Sequence, residues 1–379
     1  MYIDPKELKI IQWEPTSYCN ANCLACPRTD PDTLLTKSEI VKYQRHADPS
    51  PFIKSATDVR LGNLNRIVYN GTIGDAMMHP NIDDILISID RLRPDITQTV
   101  HTNAGGPWAK KFEKIANYVS NENPQSNLNF TFSIDGLEDT NHLYRRNVQW
   151  KNIMEHIEIL FNHNVDMIWR FNKFDHNQHQ IEEVEQLAKK WNMKFWLNKS
   201  TWGQDTVAKL LNKNKNTDLY KEKVKDNKQT FEVLGKGYNI PYVEHQDTGN
   251  DKCIFQDERE IQVVSDLTVW PCCWTSHFHY DYWLDDEKVW NNIPYTIMHD
   301  GQKRFGKHLS DIKEWEMTFN KNSHDRNYYQ KKDIRITDNH LLYDVLESDT
   351  FKDIGNKLYK QNNNFSLQIC KETCRKKHY

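Results

Sequence analysis

Between residues 8 and 198 short apolar, β-rich runs alternate with stretches of helical periodicity. The runs at 8–13, 66–70, 97–102, 128–134, 165–171 and 193–198 read as strands. Ile153, Ile157, Leu160 and Phe161 fall at i, i+4, i+7 and i+8, one face of a helix. Ile181, Val184, Leu187, Ala188 and Trp191 form a second stripe, which Asn177 is placed to cap. Strands alternating with helices predict βα units and a parallel sheet. Six such units make about three quarters of a (β/α)8 barrel. Periodicity alone does not separate a partial barrel from a doubly wound sheet.

Past residue 203 the pattern weakens. Residues 209–228 carry seven lysines, with Asp218, Glu222 and Asp226 interspersed, which reads as a solvated helix or linker. Order returns with a hairpin: strand 260–264, a turn at Ser265–Asp266, and a strand over 268–273. A last helical pattern runs over 339–361, through Leu341, Leu342, Val345, Leu346, Phe351, Ile354 and Leu358. A chain of 379 residues exceeds the size at which one core stops growing. We expect a barrel domain at 1–202, a bridge at 203–250 and a small α+β domain at 251–379 with an insertion at 280–338. That insertion, rich in Asp, Trp, Tyr and Lys, is where substrate contacts are sought.

The near-neutral formal charge of −3 argues against a nucleic-acid partner. The N-terminus lacks a signal-peptide pattern, and no apolar run approaches the ~18 residues that span a bilayer. We expect a cytoplasmic protein without a membrane partner. All eight cysteines lie in the two end regions, at 19, 23, 26, 253, 272, 273, 370 and 374. Two clusters separated by a cysteine-free stretch suggest two metal sites in a reducing compartment.

The first cluster lies in Trp13-Glu14-Pro15-Thr16-Ser17-Tyr18-Cys19-Asn20-Ala21-Asn22-Cys23-Leu24-Ala25-Cys26-Pro27-Arg28, directly after the first strand. Cysteine thiolate is the usual ligand of a [4Fe–4S] cube. Three closely spaced thiolates hold three of its irons and leave the fourth for a small chelating molecule. A structural zinc site is the competing reading, but zinc prefers four closed ligands and the loop has no fourth Cys or His. The Cys-x3-Cys-x2-Cys stretch resembles the signature of the radical S-adenosylmethionine (radical SAM) superfamily. The resemblance implies a partial (β/α)6 TIM-like barrel, and Cys19, Cys23 and Cys26 as cluster ligands.

Further matches fall at strand ends, where βα loops carry the chemistry of parallel barrels. Gly71-Thr72-Ile73-Gly74-Asp75-Ala76-Met77-Met78-His79-Pro80 resembles the family's glycine-glycine-glutamate motif, with Asp75 one methylene shorter than the usual Glu. Gly74 would let the backbone approach the ligand, and Asp75 would accept from the ammonium of the methionine moiety. Thr102-Asn103-Ala104-Gly105 resembles the Thr-Asn-Gly turn. Ser133 and Arg145 match the serine and arginine that hold the ribose and carboxylate of S-adenosylmethionine; Arg146 is a neighbour able to take the second role. Leu197 matches an apolar residue near the adenine, and reads equally as a core leucine. Ala25 departs from a frequent aromatic.

Cys253, the hairpin, Pro271-Cys272-Cys273 and Cys370-Lys371-Glu372-Thr373-Cys374 resemble the auxiliary-cluster domains called SPASM and, in shortened form, twitch. Five cysteines after residue 26 suffice for one four-thiolate cluster, so the twitch form fits better. Cys253, Cys370, Cys374 and one of Cys272 or Cys273 are the expected ligands of a second [4Fe–4S] cluster. The Pro-Cys position favours Cys272, and since adjacent strand residues point to opposite faces only one of the pair is expected to bind it. Leu267 stands where this hairpin usually has glycine. A four-cysteine zinc site fits the same spacings. His277 and His279 alternate nearby and read as surface residues.

The resemblance implies an enzyme that reductively cleaves S-adenosylmethionine and abstracts hydrogen from a substrate C–H bond. Its substrate is expected to be a peptide or protein side chain that it oxidises or crosslinks, and its electron donor a flavodoxin or ferredoxin. The alternatives are a twitch-type dehydrogenase of a small molecule such as an aminosugar, or a non-catalytic zinc or iron–sulfur scaffold binding a partner or nucleic acid.

Overall fold

A computed structural model describes residues 3–30, 32–71, 73–198, 207–208, 211, 255, 258–271 and 334–352. Its strands are β1 (Ile10–Trp13), β2 (Arg66–Tyr69), β3 (Thr97–Thr102), β4 (Leu128–Ser133), β5 (Asp166–Asn172), β6 (Lys194–Asn198), β7 (Glu260–Val263) and β8 (Val269–Trp270). The helices are α1 (Ser38–Tyr43), α2 (Pro49–Ala56), α3 (Ile82–Leu92), α4 (Ala109–Asn121), α5 (Asn141–Tyr144), α6 (Trp150–Asn162), α7 (Ile181–Lys190) and α8 (Leu342–Glu347).

All eight strands join one sheet in the order β6-β5-β4-β3-β2-β1-β7-β8, and β1 through β6 are parallel. A doubly wound sheet reverses its strand order at a switch point. Here the order runs from β1 to β6 without reversal, and right-handed crossovers then place the helices on one face. That resolves the ambiguity left by periodicity: the fold is α/β, a partial TIM-like barrel of six parallel strands.

Alternation assigns the two faces. Ile11, Trp13, Ile67, Tyr69, Val100, Phe130, Phe132, Trp169 and Phe171 are buried on the helix side. Trp13 stacks on Phe52 of α2, with ring centroids 3.6 Å apart. Phe112 of α4 meets Phe130 and Phe132 of β4 and His156 of α6. Each such aromatic contributes about 1.5–3 kcal/mol by burial. Val68, Thr99, His101, Ser133 and Arg170 point to the other face, the barrel interior, and are only partly buried.

The α6 stripe behaves as its period predicts: Ile153, Ile157 and Leu160 are buried, and Phe161 lies at the margin, edge-on to Trp191. Asn177 departs from expectation. It does not cap α7, because a 3-10 turn, Gln178–Gln180, intervenes. Its side chain is buried instead: Oδ1 accepts from Phe174 N–H, while Nδ2 donates to the carbonyls of Asp135 and Asn172. The predicted helix over 339–361 is also interrupted. Ser348 is extended at φ −64, ψ 145 and ends α8, then its hydroxyl oxygen accepts from Phe351 N–H to start the next turn.

The hairpin forms where the sequence places it, and β7 pairs in parallel with β1, so it extends the barrel sheet. At the turn, Leu267 takes the left-handed φ of 65° that glycine adopts freely. Its N–H donates to Val264 O at 2.8 Å, and its carbonyl accepts from Ile336 N–H at 2.9 Å. Packing of the Leu267 side chain, 6% exposed, offsets a conformational cost of about 1–2 kcal/mol. Among the described residues no helix is long and apolar enough to cross a membrane.

Candidate active site

Parallel strands bring their C-terminal ends to one rim, so the loops after β1, β2, β3 and β4 are neighbours. The cysteine loop after β1 folds on itself through Cys26 N–H to Cys23 O and Thr29 N–H to Cys26 O, both 3.0 Å. It docks on the end of α5 and the turn after it: Leu24 N–H donates to Tyr144 O and Asn22 N–H to Arg146 O. Cys19, Cys23 and Cys26 are free thiols, and three N–H donors already face two of the sulfurs. Ala21 N–H lies 3.4 Å from Cys19 Sγ, Asn103 Nδ2 lies 3.8 Å from it, and Arg145 Nη1 lies 3.7 Å from Cys23 Sγ.

Burial pushes all three thiols up, Cys26 to about 11. The guanidiniums of Arg28 and Arg145 pull in the other direction. Ligation needs thiolates, so this loop calls for a cation to hold the charge. Among the described residues no three Cys, His, Asp or Glu side chains gather closely enough to hold a single metal ion. A cube offers each cysteine its own iron, so the donor set fits a cluster.

The loop after β2 is clamped against this one by two buried ionic side chains to which sequence reasoning assigned no role. Glu14 Oε1 accepts from the N–H groups of both Ile73 and Gly74 at 2.9 Å. Arg28 Nη1 donates to Ile73 O at 2.6 Å and to Ser17 O at 3.4 Å. Gly74 lies so close that a Cβ would sit 1.7 Å from Thr16 O. The only signal in the sequence was position: Glu14 follows β1 directly, and Arg28 follows the third cysteine by two.

Asp75 is buried, and both its oxygens are taken. Oδ1 accepts from Thr102 Oγ1 at 2.9 Å and Met77 N–H at 3.0 Å; Oδ2 accepts from Asn103 N–H at 2.8 Å and Asn103 Nδ2 at 2.7 Å. Burial raises its carboxyl above the usual range, opposed by these donors. A carboxylate offers about four lone-pair sites, and the protein fills four. Asp75 thus joins Thr102 and Asn103 into one unit, and Asn103 Nδ2 carries that unit on to Asn20 Oδ1 and Cys19.

Ser133 ends β4 beside Arg170 of β5. Arg145 Nε donates to Asp135 Oδ2 at 2.7 Å, a pair in which Asp135 is fully buried. Burial alone would lower the Arg145 guanidinium, but Asp135 and Cys23 hold it above its usual value. Asp135 Oδ1 also accepts from Asn172 N–H at 2.6 Å. Asp135 was missed, although it lies two residues after Ser133. Leu197 pairs with Phe171 and packs against the core on the helix side. Cys253, Cys272, Cys273, Cys370, Cys374, His277 and His279 lie outside the described residues, as do all of the lysine-rich segment but residue 211 and, of the insertion at 280–338, residues 280–333.

Neither protein-family models nor curated proteins match this chain. Among solved structures it is similar to Streptococcus suis SuiB bound to S-adenosylmethionine, at TM-score 0.44 and 15% identity over 84% of this chain and 70% of that chain. Similarity to SuiB bound to precursor peptide SuiA has TM-score 0.44 and 13% identity, over 81% of this chain and 64% of that one. BtrN in complex with AdoMet and 2-DOIA matches at TM-score 0.33 and 12% identity, over 86% and 96%. At these identities and TM-scores the likeness carries no activity to this chain, and function is argued from its own residues.

Proposed function

We propose that this chain is a radical SAM enzyme acting on a peptide or protein side chain. The observation that carries the reading is the tie between two motifs far apart in sequence: Asn103 Nδ2 faces both Cys19 Sγ and the Asp75 carboxylate. Cys19, Cys23 and Cys26 would hold a [4Fe–4S] cluster, with S-adenosylmethionine at its open iron. The chemistry supplied when both are bound is reductive cleavage to methionine and a 5′-deoxyadenosyl radical, which abstracts hydrogen from a substrate C–H bond.

The protein's part is positioning and exclusion of water. Glu14 and Arg28 fix the Ile73–Gly74 backbone against the cysteine loop, where bare glycine lets the two backbones meet. Asp75, saturated by protein donors, orders Thr102 and Asn103 and leaves the methionine ammonium to other acceptors. Ser133 and Arg145 would take the ribose and carboxylate. Asp135 holds the Arg145 fork by Nε, so that its Nη side serves the ligand. We further propose a second [4Fe–4S] cluster on Cys253, Cys272, Cys370 and Cys374, with reduction by a flavodoxin or ferredoxin.

Anaerobic reconstitution with iron and sulfide, followed by reduction with S-adenosylmethionine, tests the reading. Formation of 5′-deoxyadenosine is expected, with loss on Cys23→Ala. Tightly bound zinc without 5′-deoxyadenosine would overturn it.

A further inference from the structure

The barrel interior holds a cation that the site above does not use. Arg170 lies on β5 between Ser133 of β4 and Trp196 of β6, its cross-strand partners, near the C-terminal rim. Its Nε is buried and hydrogen-bonds to nothing, and the guanidinium forms no ion pair among the described residues. Trp196 supplies one face, with the Arg170 guanidinium carbon 5.0 Å from the ring centroid. The acidic group whose charge acts on it, Asp135, is already bound to Arg145 and Asn172. His101 of β3 feels the Arg170 charge, and burial and that charge hold it neutral, down to about 3. His101 is therefore no counter-ion.

A half-buried guanidinium without a carboxylate is unfavourable unless something else brings the negative charge. The planar fork fits a carboxylate, and stacking on tryptophan fixes its plane without using its N–H groups. Arg145 stands beside the cysteine loop, and its charge acts on Arg170, so the two arginines share one interior.

The geometry points to Arg170 as the anchor for a carboxylate of the substrate, so that the enzyme acts on an acidic molecule or peptide. The inference deepens the reading above and rests on it only in calling that carboxylate the substrate's. It adds a role for β5 and β6 that no strand-end motif suggested.

The test uses reconstituted holoenzyme with S-adenosylmethionine bound, crystallised and soaked in sodium bromide as an anion probe. An anomalous bromide peak is expected within ~4 Å of the Arg170 guanidinium, displaced by acetate and absent from Arg170→Gln. Affinity for S-adenosylmethionine should change less than about twofold in that variant, since a charge-assisted bond to it is worth about tenfold or more. No wild-type peak, or a peak that survives Arg170→Gln, overturns the proposal. A fall of about tenfold or more in S-adenosylmethionine affinity also overturns it, because Arg170 would then serve that molecule's own carboxylate. If Arg170→Gln fails to fold, the wild-type peak, its displacement by acetate and the affinity of Arg170→Lys decide the same question. The yield of 5′-deoxyadenosine from the same preparations judges the radical reading separately.

Discussion

Gly74→Ala isolates the contact between the two loops. A Cβ at this position would lie 1.7 Å from Thr16 O, 2.8 Å from Thr16 C and 3.1 Å from Ser17 Cα. All three atoms are backbone, so no rotamer change relieves the overlap. An ordinary C···O contact is about 3.3 Å, so the turn must retreat by roughly 1.6 Å. The two 2.9 Å bonds from Ile73 and Gly74 to Glu14 then stretch beyond hydrogen-bonding reach. Leaving both N–H groups unsatisfied costs about 1–3 kcal/mol each. Displacement of a positioned group by more than 1 Å costs about 10²-fold in rate. The assay compares iron and sulfide content, S-adenosylmethionine affinity and 5′-deoxyadenosine yield in anaerobically reconstituted parent and variant. Thiol ligands untouched, the cluster content should persist while affinity and yield fall at least about tenfold. A variant that binds and cleaves S-adenosylmethionine within twofold of the parent would refute the reasoning.

Asp135→Asn leaves Arg145 buried without its counter-charge. It should cost about 3 kcal/mol, read as a fall of about 4 °C in melting temperature for a chain of 379 residues. An unchanged melting temperature refutes the pairing. Glu260 is raised to about 7, first by burial and against the pull of the hydrogen bond from Gln12 Nε2. The folded state therefore keeps the proton that the unfolded chain loses near pH 4.5, so stability falls as pH climbs from there to 7. Glu260→Gln should remove that slope and stabilise the protein at pH 8 by about 3 kcal/mol, with little change below pH 4.5; denaturant titrations at the two pH values decide it. His156, pushed down to about 4 by burial though its Nδ1 donates to Ala104 O, acts in the opposite sense. Its contribution is complete above pH 6.5 and is lost as pH falls toward 4. His156→Phe should flatten that acid limb, which denaturant titrations from pH 7 to 4 measure.

Strand positions were legible because period-2 burial and β-branched or aromatic content coincide over 97–102 and 128–133, and observed β3 and β4 start where predicted. Handedness was not legible. Whether six βα units close toward a barrel or reverse at a switch point depends on which neighbour each strand pairs with, and local periodicity holds no such information. Asn177 shows the same limit at one residue. Its type suits a cap, but its amide is used across 42 residues of sequence to hold the Asp135 carbonyl. Leu267 shows the converse: a left-handed position is filled by a leucine because its side chain gains enough from packing, a balance set by tertiary contacts.

At the site, the sequence names side chains that meet a ligand more readily than those that hold other side chains. The three cysteines declare themselves by spacing, since loop thiolates at that interval have few other uses. From sequence Asp75 reads as a ligand contact, because it stands where a glutamate is expected. Its four protein donors come from Thr102, Asn103 and Met77, and only the fold brings β3's turn over β2's. Glu14, Arg28 and Asp135 belong to the same class: each is ionic, buried, and bound to partners 10 to 60 residues away. Burying a charge this deeply is worthwhile only where several donors or acceptors converge, and convergence is a property of the rim. Arg170 completes the contrast. It is half-buried and, among the described residues, lacks their partners, and that missing carboxylate, invisible in Ile168-Trp169-Arg170-Phe171, is what turns a structural arginine into a candidate for binding.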